Sequence, residues 1–292
     1  MMQVHLVDGT YELFRHFFAL PEHLDPDGTD VAALRGVVGS VLGLLEEGAT
    51  HVGVATDHVI ESFRNELWDG YKTGAGVDPV LLAQFEPLED ALRALGVAVW
   101  AEVELEADDA LASAVAVAEA DPRVERILIC TPDKDLGQCV RDPVVAQLDR
   151  RQGKLIDEAG VRAKFGVGPR SIPDWLALVG DSADGFPGLP GWGAKSAAAV
   201  LARYERIEDI PESGREWDVE VRGAAKLAAT LAEQRERAEL FKVLATLRTD
   251  ADVGTVDDWR WTGARPEFGA WAERVGSPNL ARRAEKLAAA RS

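Results

Sequence analysis

The first half of the 292-residue chain alternates short apolar runs with amphipathic helical patterns, and this alternation constrains the fold more than any other feature. The apolar runs predict strands at residues 4–7, 51–55, 97–100, 126–130 and 144–148. Helical patterns lie between them, near residues 30–47, 79–95 and 107–120. The alternation is typical of an α/β domain in which helices flank a mostly parallel central sheet. Ligands of such sheets bind beyond the carboxyl ends of the strands.

The composition fits a globular protein of a reducing compartment. Hydrophobic residues make up 47% of the chain, enough for a substantial core. No apolar run approaches the ~20 residues of a membrane span, so we expect no membrane partner. Residues 1–8 lack a basic segment before their apolar stretch and predict a first strand rather than a signal peptide. The two cysteines, Cys130 and Cys139, have no metal or redox spacing, which favours a cytoplasmic setting.

The charge is unevenly distributed along the chain. The net charge is −18, which argues against a simple nucleic-acid binder. Residues 1–150 hold 28 acidic and 10 basic side chains, whereas residues 151–292 hold 22 of each. The acidic excess is either solvated surface or a set of carboxylates that converge on cations.

Acidic residues recur where the predicted strands end. They are Asp8, Asp57, Glu106, Asp108, Asp109, Asp133 and Asp135. Any one of them could simply cap the helix that follows. A parallel sheet, however, brings its strand ends to one edge, where clustered carboxylates repel one another unless cations lie among them. Oxygen ligands suit Mg²⁺ or Mn²⁺ rather than zinc, and the five histidines, all before residue 59, have no zinc-binding spacing.

A loop rich in glycine and proline, at residues 180–193, interrupts the helical pattern of the second half. Its acids Asp181 and Asp184 are spaced i, i+3, which predicts that both lie on one face of a helical turn. They would supply a second set of metal ligands. Two cations about 3.5–4 Å apart are well suited to phosphodiester hydrolysis.

An ordered series of short motifs resembles the 5′ nuclease family, which includes the 5′-3′ exonuclease domain of bacterial DNA polymerase I, phage 5′ nucleases and flap endonucleases. The motifs lie between about residues 4 and 250, in the family's order. They are LVDG (6–9), SFR (62–64), GYK (70–72), EADD (106–109), TPDKD (131–135), GDSAD (180–184), PG (187–188), GWGAKS (191–196) and LRTD (247–250). Each motif alone is weak, but the ordered set is specific.

The resemblance implies a role for each matching residue. The implied metal ligands are Asp8, Glu106, Asp108 and Asp133 at a first site, Asp135, Asp181 and Asp184 at a second, and Asp57 and Asp109 as supporting or bridging acids. Lys72 and Tyr71 match the base of a helical arch, where the lysine contacts the scissile phosphate, and Arg64 matches a nearby arginine. Residues 188–195 match a helix–three-turn–helix loop that binds duplex backbone with a K⁺ ion. The implied DNA-binding residues are Gly188, Gly191, Gly193, Lys195 and Ser196.

The implied protein is a structure-specific 5′ nuclease of DNA replication and repair, which uses two Mg²⁺ or Mn²⁺ ions on 5′-flapped, nicked or branched DNA. We expect a monomer with a nuclease core at residues 1–156, an arch near 62–95, a helical region at 157–250 and a C-terminal tail at 251–292 that packs on the core. Two features depart from the family. The arch stretch lacks the second basic residue that usually follows the lysine, and no polymerase domain is present, so the chain would act alone or be recruited.

Other classes of protein fit the sequence less well. A non-catalytic binder of branched DNA would keep the loop and lose acids, but all nine acids are present. A haloacid-dehalogenase phosphatase needs a second aspartate where Thr10 stands, and a P-loop needs its lysine directly after the last glycine, where Ala194 stands. A small RNA-cutting relative would lack the Asp181–Asp184 loop.

Aromatic side chains could stack on bases. The spacing of Phe14, Phe17 and Phe18 instead predicts that they are core residues. Packing is also the expected role of Trp192, and Tyr71 is a stacking candidate only through the resemblance.

Overall fold

The computed structural model describes residues 2–291. Within them, six strands are present: β1 (Met2–Asp8), β2 (His51–Asp57), β3 (Ala98–Glu102), β4 (Val124–Cys130), β5 (Val145–Asp149) and β6 (Lys154–Ile156). The α-helices of these residues are α1 (Gly9–Ala19), α2 (Ala32–Glu46), α3 (Arg64–Leu67), α4 (Pro79–Leu82), α5 (Phe85–Leu95), α6 (Ala107–Glu119), α7 (Glu158–Phe165), α8 (Ile172–Val179), α9 (Ala194–Tyr204), α10 (Ala224–Glu233), α11 (Arg235–Ala245), α12 (Glu267–Arg274) and α13 (Pro278–Arg291). Short 3₁₀ helices lie at Asp135–Cys139, Pro169–Ser171, Ile207–Asp209 and Val256–Trp259.

The chain divides into two compact units. The first unit comprises the residues up to Ile60, those from Gly74 to Cys130 and those from Thr249 onward. The second unit comprises the residues from Glu61 to Thr73 and from Thr131 to Arg248. Neither unit is one continuous stretch of the chain.

The first unit contains a parallel sheet with strands in the order β3-β2-β1-β4. Every residue of β2 is buried, as expected for a parallel strand that is covered on both faces. Helices α1, α5 and α6 pack on strands of this sheet. The predicted α/β fold with a mostly parallel, helix-flanked sheet is therefore confirmed.

The residues from Thr249 onward also belong to the first unit. The Trp259 ring is buried against the ring of Trp100, with 5.4 Å between the ring centroids. The Trp261 indole N–H donates to the Leu95 carbonyl over 2.8 Å, and α12 packs on α5. The apolar packing of Trp259 and the hydrogen bond of Trp261 thus attach the C-terminal segment to the rest of this unit.

The second unit is mainly helical, with β5 and β6 as an antiparallel pair. Helix α8 packs on both α9 and α11, and the core between these elements includes Phe186, Phe241 and Trp192. The Trp192 indole N–H donates to the Leu227 carbonyl over 3.2 Å, which confirms a packing role for this residue. No helix within residues 2–291 is long and apolar enough to span a membrane.

Two local predictions are wrong. The helix predicted over residues 79–95 is two helices, because Pro87 has no N–H to donate to the Ala83 carbonyl and a new helix must begin before it. The prediction that the α1 phenylalanines are core residues fails for Phe18, which is 76% exposed, and Phe14 and Phe17 are only half-buried. At 3.6 residues per turn, Phe18 lies about 140° around the helix from the buried Leu13.

Candidate metal centre and nucleic-acid interface

Two of the predicted acids end neighbouring strands of the first unit. Asp8 is the last residue of β1 and caps α1, with its Oδ1 accepting a hydrogen bond from the Tyr11 N–H over 2.8 Å. Asp57 is the last residue of β2, and its Oδ1 accepts a bond from the Ala107 N–H over 2.8 Å. Each carboxylate therefore has one oxygen engaged at a helix N-terminus. A capping role and a ligand role are chemically compatible, since a carboxylate offers about four lone-pair sites.

The acids at the start of α6 form a capping box. Asp109 is fully buried, and its Oδ2 accepts a bond from the Glu106 N–H over 3.0 Å. Glu106 is buried as well, whereas Asp108 is half-buried. The first turn of α6 thus concentrates carboxylates at the positive end of the helix, where the helix dipole stabilises negative charge.

Glu102 is an additional acid that the sequence patterns missed. The strand predicted to end at residue 100 continues to Glu102, which is paired in register with Asp57. Burial raises the pKa of Glu102, and the charges of Asp109, Asp57 and Asp252 raise it further. The carboxyl edge of β2 and β3 is therefore a region of concentrated negative charge. The signal that could have revealed Glu102 is the strand-end position that the other acids share.

Asp133 and Asp135 follow Thr131 in the second unit. The Asp133 Oδ1 accepts a hydrogen bond from the Asp135 N–H over 2.9 Å, and the Gln147 side-chain amide donates to the Asp133 carbonyl over 2.5 Å. These bonds fix the backbone at the point where the 3₁₀ helix Asp135–Cys139 begins. Asp135 is 6% exposed, so its carboxylate is held in a buried position.

Asp181 and Asp184 lie in one tight turn rather than in a helix. The Asp181 carbonyl accepts bonds from the N–H groups of Gly185 and Phe186, over 2.9 and 3.0 Å. The Asp181 Oδ1 accepts a bond from the Ala183 N–H over 2.9 Å. This single i, i+4 turn brings both carboxylates to the same side, as the i, i+3 spacing predicts, without a continuing helix.

The three acids Asp135, Asp181 and Asp184 meet. One ligand oxygen from each lies within 4.8 Å of the others. The Asp135 Oδ1 is buried and has no hydrogen-bond partner. Burial raises the pKa of Asp135 well above its usual value, and the charges of Asp133, Asp184 and Asp181 raise it further. An unsatisfied buried oxygen among acids fits a hard divalent cation, which would satisfy the oxygen and offset the repulsion.

A lysine is paired with each acid of the turn. The Lys134 Nζ lies 2.6 Å from the Asp181 Oδ2, and the Lys72 Nζ lies 3.3 Å from the Asp184 Oδ1. Burial alone would lower the pKa of Lys134, but its hydrogen bond to Asp181 and the neighbouring carboxylates raise that pKa above its usual value. The Lys134 ammonium group therefore remains charged at neutral pH.

Backbone contacts hold Lys72 beside the turn. The Lys72 N–H donates to the Asp184 carbonyl over 3.0 Å, and the Asn65 side-chain amide donates to the Lys72 carbonyl over 2.9 Å. Gly185 has a φ of +84°, and a Cβ there would lie 2.0 Å from the Gly70 carbonyl oxygen. Only glycine permits this approach of the two segments.

The structure gives Arg64 and Tyr71 internal rather than surface positions. Arg64 is 1% exposed, and its guanidinium donates to the carbonyls of Leu244 and Thr246 over 2.8 and 3.2 Å. These carbonyls are at the end of α11, so Arg64 caps that helix. Tyr71 is 4% exposed and belongs to the core of the second unit, which leaves its ring little surface for a base.

The predicted DNA-binding loop connects α8 to α9. Its Gly188 has a φ of +68°, and a Cβ there would lie 2.4 Å from the Gly180 nitrogen, so this glycine serves contact between backbone segments. Gly191 and Lys195 are exposed, and Gly193 is half-buried with nothing within 4 Å of a Cβ built on it. Helix α9 begins at Ala194, and the Ser196 hydroxyl accepts a bond from the Gly193 N–H over 3.0 Å.

An open depression lies at the N-terminus of α9. Its volume is about 530 Å³, and its lining includes Gly191, Lys195, Ser196 and Arg222 together with the acid Glu220. Exposed backbone and two basic side chains at the start of an 11-residue helix are a suitable environment for an anion such as phosphate. The helix–three-turn–helix assignment and its K⁺ ion remain predictions.

Comparison with known proteins supports one family across most of the chain. Residues 3–166 match the family described as 5′-3′ exonuclease, N-terminal resolvase-like domain. Residues 167–267 match the family described as 5′-3′ exonuclease, C-terminal SAM fold. The chain is 35% identical over 268 residues to DNA polymerase I of Pseudomonas aeruginosa, covering 88% of this chain, and 32% identical over 290 residues to that of Bacillus caldotenax, covering 94%. It spans 28% and 32% of the length of these two relatives.

Solved structures share the fold at low sequence identity. A T5 5′-exonuclease with bound divalent metal ions (zinc) matches with a TM-score of 0.67 and 16% identity, over 98% of each chain. Flap endonuclease-1 from Methanococcus jannaschii matches with a TM-score of 0.63 and 15% identity, over 100% of this chain and 94% of its own. These likenesses extend the fold to the whole chain. Because the two family descriptions together match residues 3–267, this chain belongs to the 5′-3′ exonuclease family.

Proposed function

We propose that this chain is a 5′ nuclease that hydrolyses DNA phosphodiester bonds at 5′ ends, flaps and branches with two divalent cations, Mg²⁺ or Mn²⁺. The observation that carries the proposal is the convergence of Asp135, Asp181 and Asp184 around a buried, unpartnered carboxylate oxygen. Oxygen donors of this kind are the ligands that Mg²⁺ and Mn²⁺ prefer. Membership of the 5′-3′ exonuclease family supports the same reaction.

The remaining acids are proposed as further ligands. In the first unit these are Asp8, Glu106 and Asp108, with Asp57 and Asp109 as acids that support them. In the second unit the further ligand is Asp133. When bound, divalent cations supply the Lewis acidity that activates water and offsets the charge developing on the phosphate.

The chain's own residues then bind and orient the substrate. Lys72 lies next to Asp184, so a phosphate held at the acid cluster is within reach of its ammonium group. A fixed positive charge there stabilises the negative charge of the transition state. After the loop at residues 180–193, which begins beside Asp181, helix α9 starts. There the exposed backbone at Gly191 and the Lys195 side chain bind phosphates of the duplex, and K⁺ is a bound ion of the loop. Contacts to phosphate position the duplex without reading its sequence.

The test is cleavage of end-labelled 5′-flap, nicked-duplex and single-stranded DNA, with Mg²⁺, with Mn²⁺ and with excess EDTA. We expect cutting only with added cation, and products with a 5′ phosphate and a 3′ hydroxyl. The Asp181→Asn variant, purified in the same way, controls for contaminating nucleases. Undiminished cleavage in EDTA would contradict the proposal, and so would tight binding of flap DNA without cutting at any cation concentration, which is the behaviour of a non-catalytic binder.

A further inference from the structure

Lys134 occupies an unusual place in the acid cluster of the second unit. Its Nζ lies 2.6 Å from the Asp181 Oδ2, while the other oxygen of Asp181 accepts the Ala183 N–H. Both oxygens of Asp181 are therefore engaged. Because the Asp181 side chain is only 2% exposed, the Oδ2 cannot turn to solvent for another partner. A cation that takes the Asp181 Oδ2 as a ligand must compete with the Lys134 ammonium group for the same atom.

Asp135 differs from Asp181 in this respect. The Asp135 Oδ1 has no hydrogen-bond partner, so a cation binds it without displacing a protein group. The ion pair of Asp184 is with Lys72 and is longer, at 3.3 Å. The Lys134 side chain is 32% exposed, and its long stem can carry the ammonium group into water once the ion pair opens. A cation that binds the Asp181 Oδ2 thus has to exchange with the Lys134 ammonium group.

We propose that Lys134 is a built-in competitor of the divalent cation: its ammonium group balances the acid cluster and must leave the Asp181 Oδ2 for the cation to bind. Lys134 thereby sets the affinity of this site, and with it the cation concentration at which the site fills. The inference rests on the proposed function, since it takes Asp135, Asp181 and Asp184 as metal ligands. It adds to that function a residue which lowers metal affinity.

The expected change in Mn²⁺ affinity follows from the strength of the hydrogen bond that the cation replaces. Removal of a hydrogen bond to a charged group changes an equilibrium constant by about ten- to a hundred-fold. Without the Lys134 ammonium group, the divalent cation has no lysine to displace. It also binds to a cluster of carboxylates with a more negative net charge. We therefore expect Lys134→Met, which keeps the length of the side chain and removes its charge, to bind Mn²⁺ about ten- to a hundred-fold more tightly at this site.

The experiment is titration of the full chain with Mn²⁺ in the absence of DNA, with free Mn²⁺ measured by electron paramagnetic resonance. Lys134→Arg retains a positive charge and should bind Mn²⁺ no more tightly than wild type. Lys154→Met removes an exposed lysine of β6 and should leave the titration unchanged. Asp181→Asn identifies which ion belongs to this cluster, because that binding step should weaken or disappear.

Thermal unfolding provides a second readout that does not depend on cleavage. In excess EDTA, Lys134→Met should unfold at a lower temperature than wild type, because the carboxylates lose their counter-ion. Saturating Mg²⁺ should then raise the unfolding temperature of this variant by more than it raises that of wild type.

Two results would overturn the inference in different ways. If wild type binds Mn²⁺ at this cluster and Lys134→Met binds it equally or more weakly, Lys134 does not compete with the cation and only orients Asp181, whereas the proposed function stands. If wild type binds no Mn²⁺ at this cluster, both the proposed metal site and the competition are wrong.

Discussion

At the scale of single residues, the acid cluster concentrates charge where ionisation is unfavourable. Asp135 is buried beside Asp133, Asp181 and Asp184, and its pKa is raised well above the usual value by burial first and by these charges second. A carboxyl whose pKa is higher in the folded protein than in the unfolded chain binds more protons when folded. Its contribution to stability therefore falls as pH rises from about 3.8, the usual pKa of an aspartate, through the folded pKa.

Asp135→Asn removes this unfavourable ionisation. In EDTA at pH 7 we expect the variant to have a larger free energy of unfolding than wild type, and the difference should shrink as pH is lowered toward 4. In saturating Mg²⁺ the order should reverse, because only wild type gains the full free energy of cation binding. Urea unfolding between pH 4.5 and 8, with and without Mg²⁺, measures both effects. A variant less stable than wild type in EDTA at pH 7 would contradict this account of the cluster.

Lys72 is half-buried and differs from exposed lysines such as Lys154 in its fixed position beside Asp184. Lys72→Ala should lower the single-turnover rate of flap cleavage by on the order of 10²–10³, the usual cost of losing one group that stabilises transition-state charge. Lys154→Ala, on β6 of the same unit, is the matched control and should cut at the wild-type rate. A Lys72→Ala rate within a few-fold of wild type would indicate an ordinary solvated lysine.

Arg64 has contacts within the protein that its sequence neighbourhood did not predict. Resemblance favoured a place beside the substrate, but the guanidinium is buried and caps the last carbonyls of α11. Arg64→Ala should lower the free energy of unfolding by about 1–3 kcal/mol, because buried carbonyl groups lose their donor. Arg64→Lys should restore little, since one ammonium cannot reproduce the planar fork. If Arg64→Ala unfolds in urea like wild type but no longer cleaves DNA, Arg64 has a direct role with the substrate.

At the scale of elements, the sequence predicted what local pattern determines. The apolar runs predicted the positions of β1 to β5. The alternation of strands and helices then predicted that acids lie at the ends of the strands. The sequence did not predict where β3 ends, so Glu102 was missed. It also did not predict that Tyr71 and Arg64 are buried, because their burial depends on α11 and on core residues distant in the chain. Such positions are set by tertiary packing, which leaves no periodic signal nearby.

Helix α9 and the loop before it yield a prediction about DNA binding. Lys195 is exposed at the start of this helix, where the dipole and free N–H groups attract phosphate. Lys195→Ala should weaken binding about equally for unrelated duplex sequences. It should also lower the log–log salt slope by roughly 0.9, the value for one phosphate contact. Salt titrations of binding to a nicked duplex measure both the affinity and the slope. If Lys195→Ala changes neither, the loop only connects α8 to α9 and does not bind DNA.

At the scale of the whole molecule, the uneven charge of the sequence has a physical explanation. The acidic excess of residues 1–150 includes the strand-end acids of the first unit, and the balanced second half carries the loop proposed to bind duplex DNA. An acidic protein can bind a polyanion when cations offset its carboxylates and basic groups lie elsewhere. The division into two units was not predictable from sequence, because residues 61–73 join the second unit although they precede β3 and β4.

The central claim is that the acids of the second unit hold a cation which cleavage requires. The most direct test is single-turnover cleavage of a 5′-flap duplex across a Mg²⁺ titration, by wild type, Asp133→Asn and Asp184→Asn, with DNA binding measured in parallel. We expect Asp133→Asn to abolish cutting and Asp184→Asn to impair it, while both bind DNA nearly as wild type does, because each loses a cation ligand rather than a phosphate contact. If Asp184→Asn cuts as well as wild type at every Mg²⁺ concentration, the cluster is not a functional metal site.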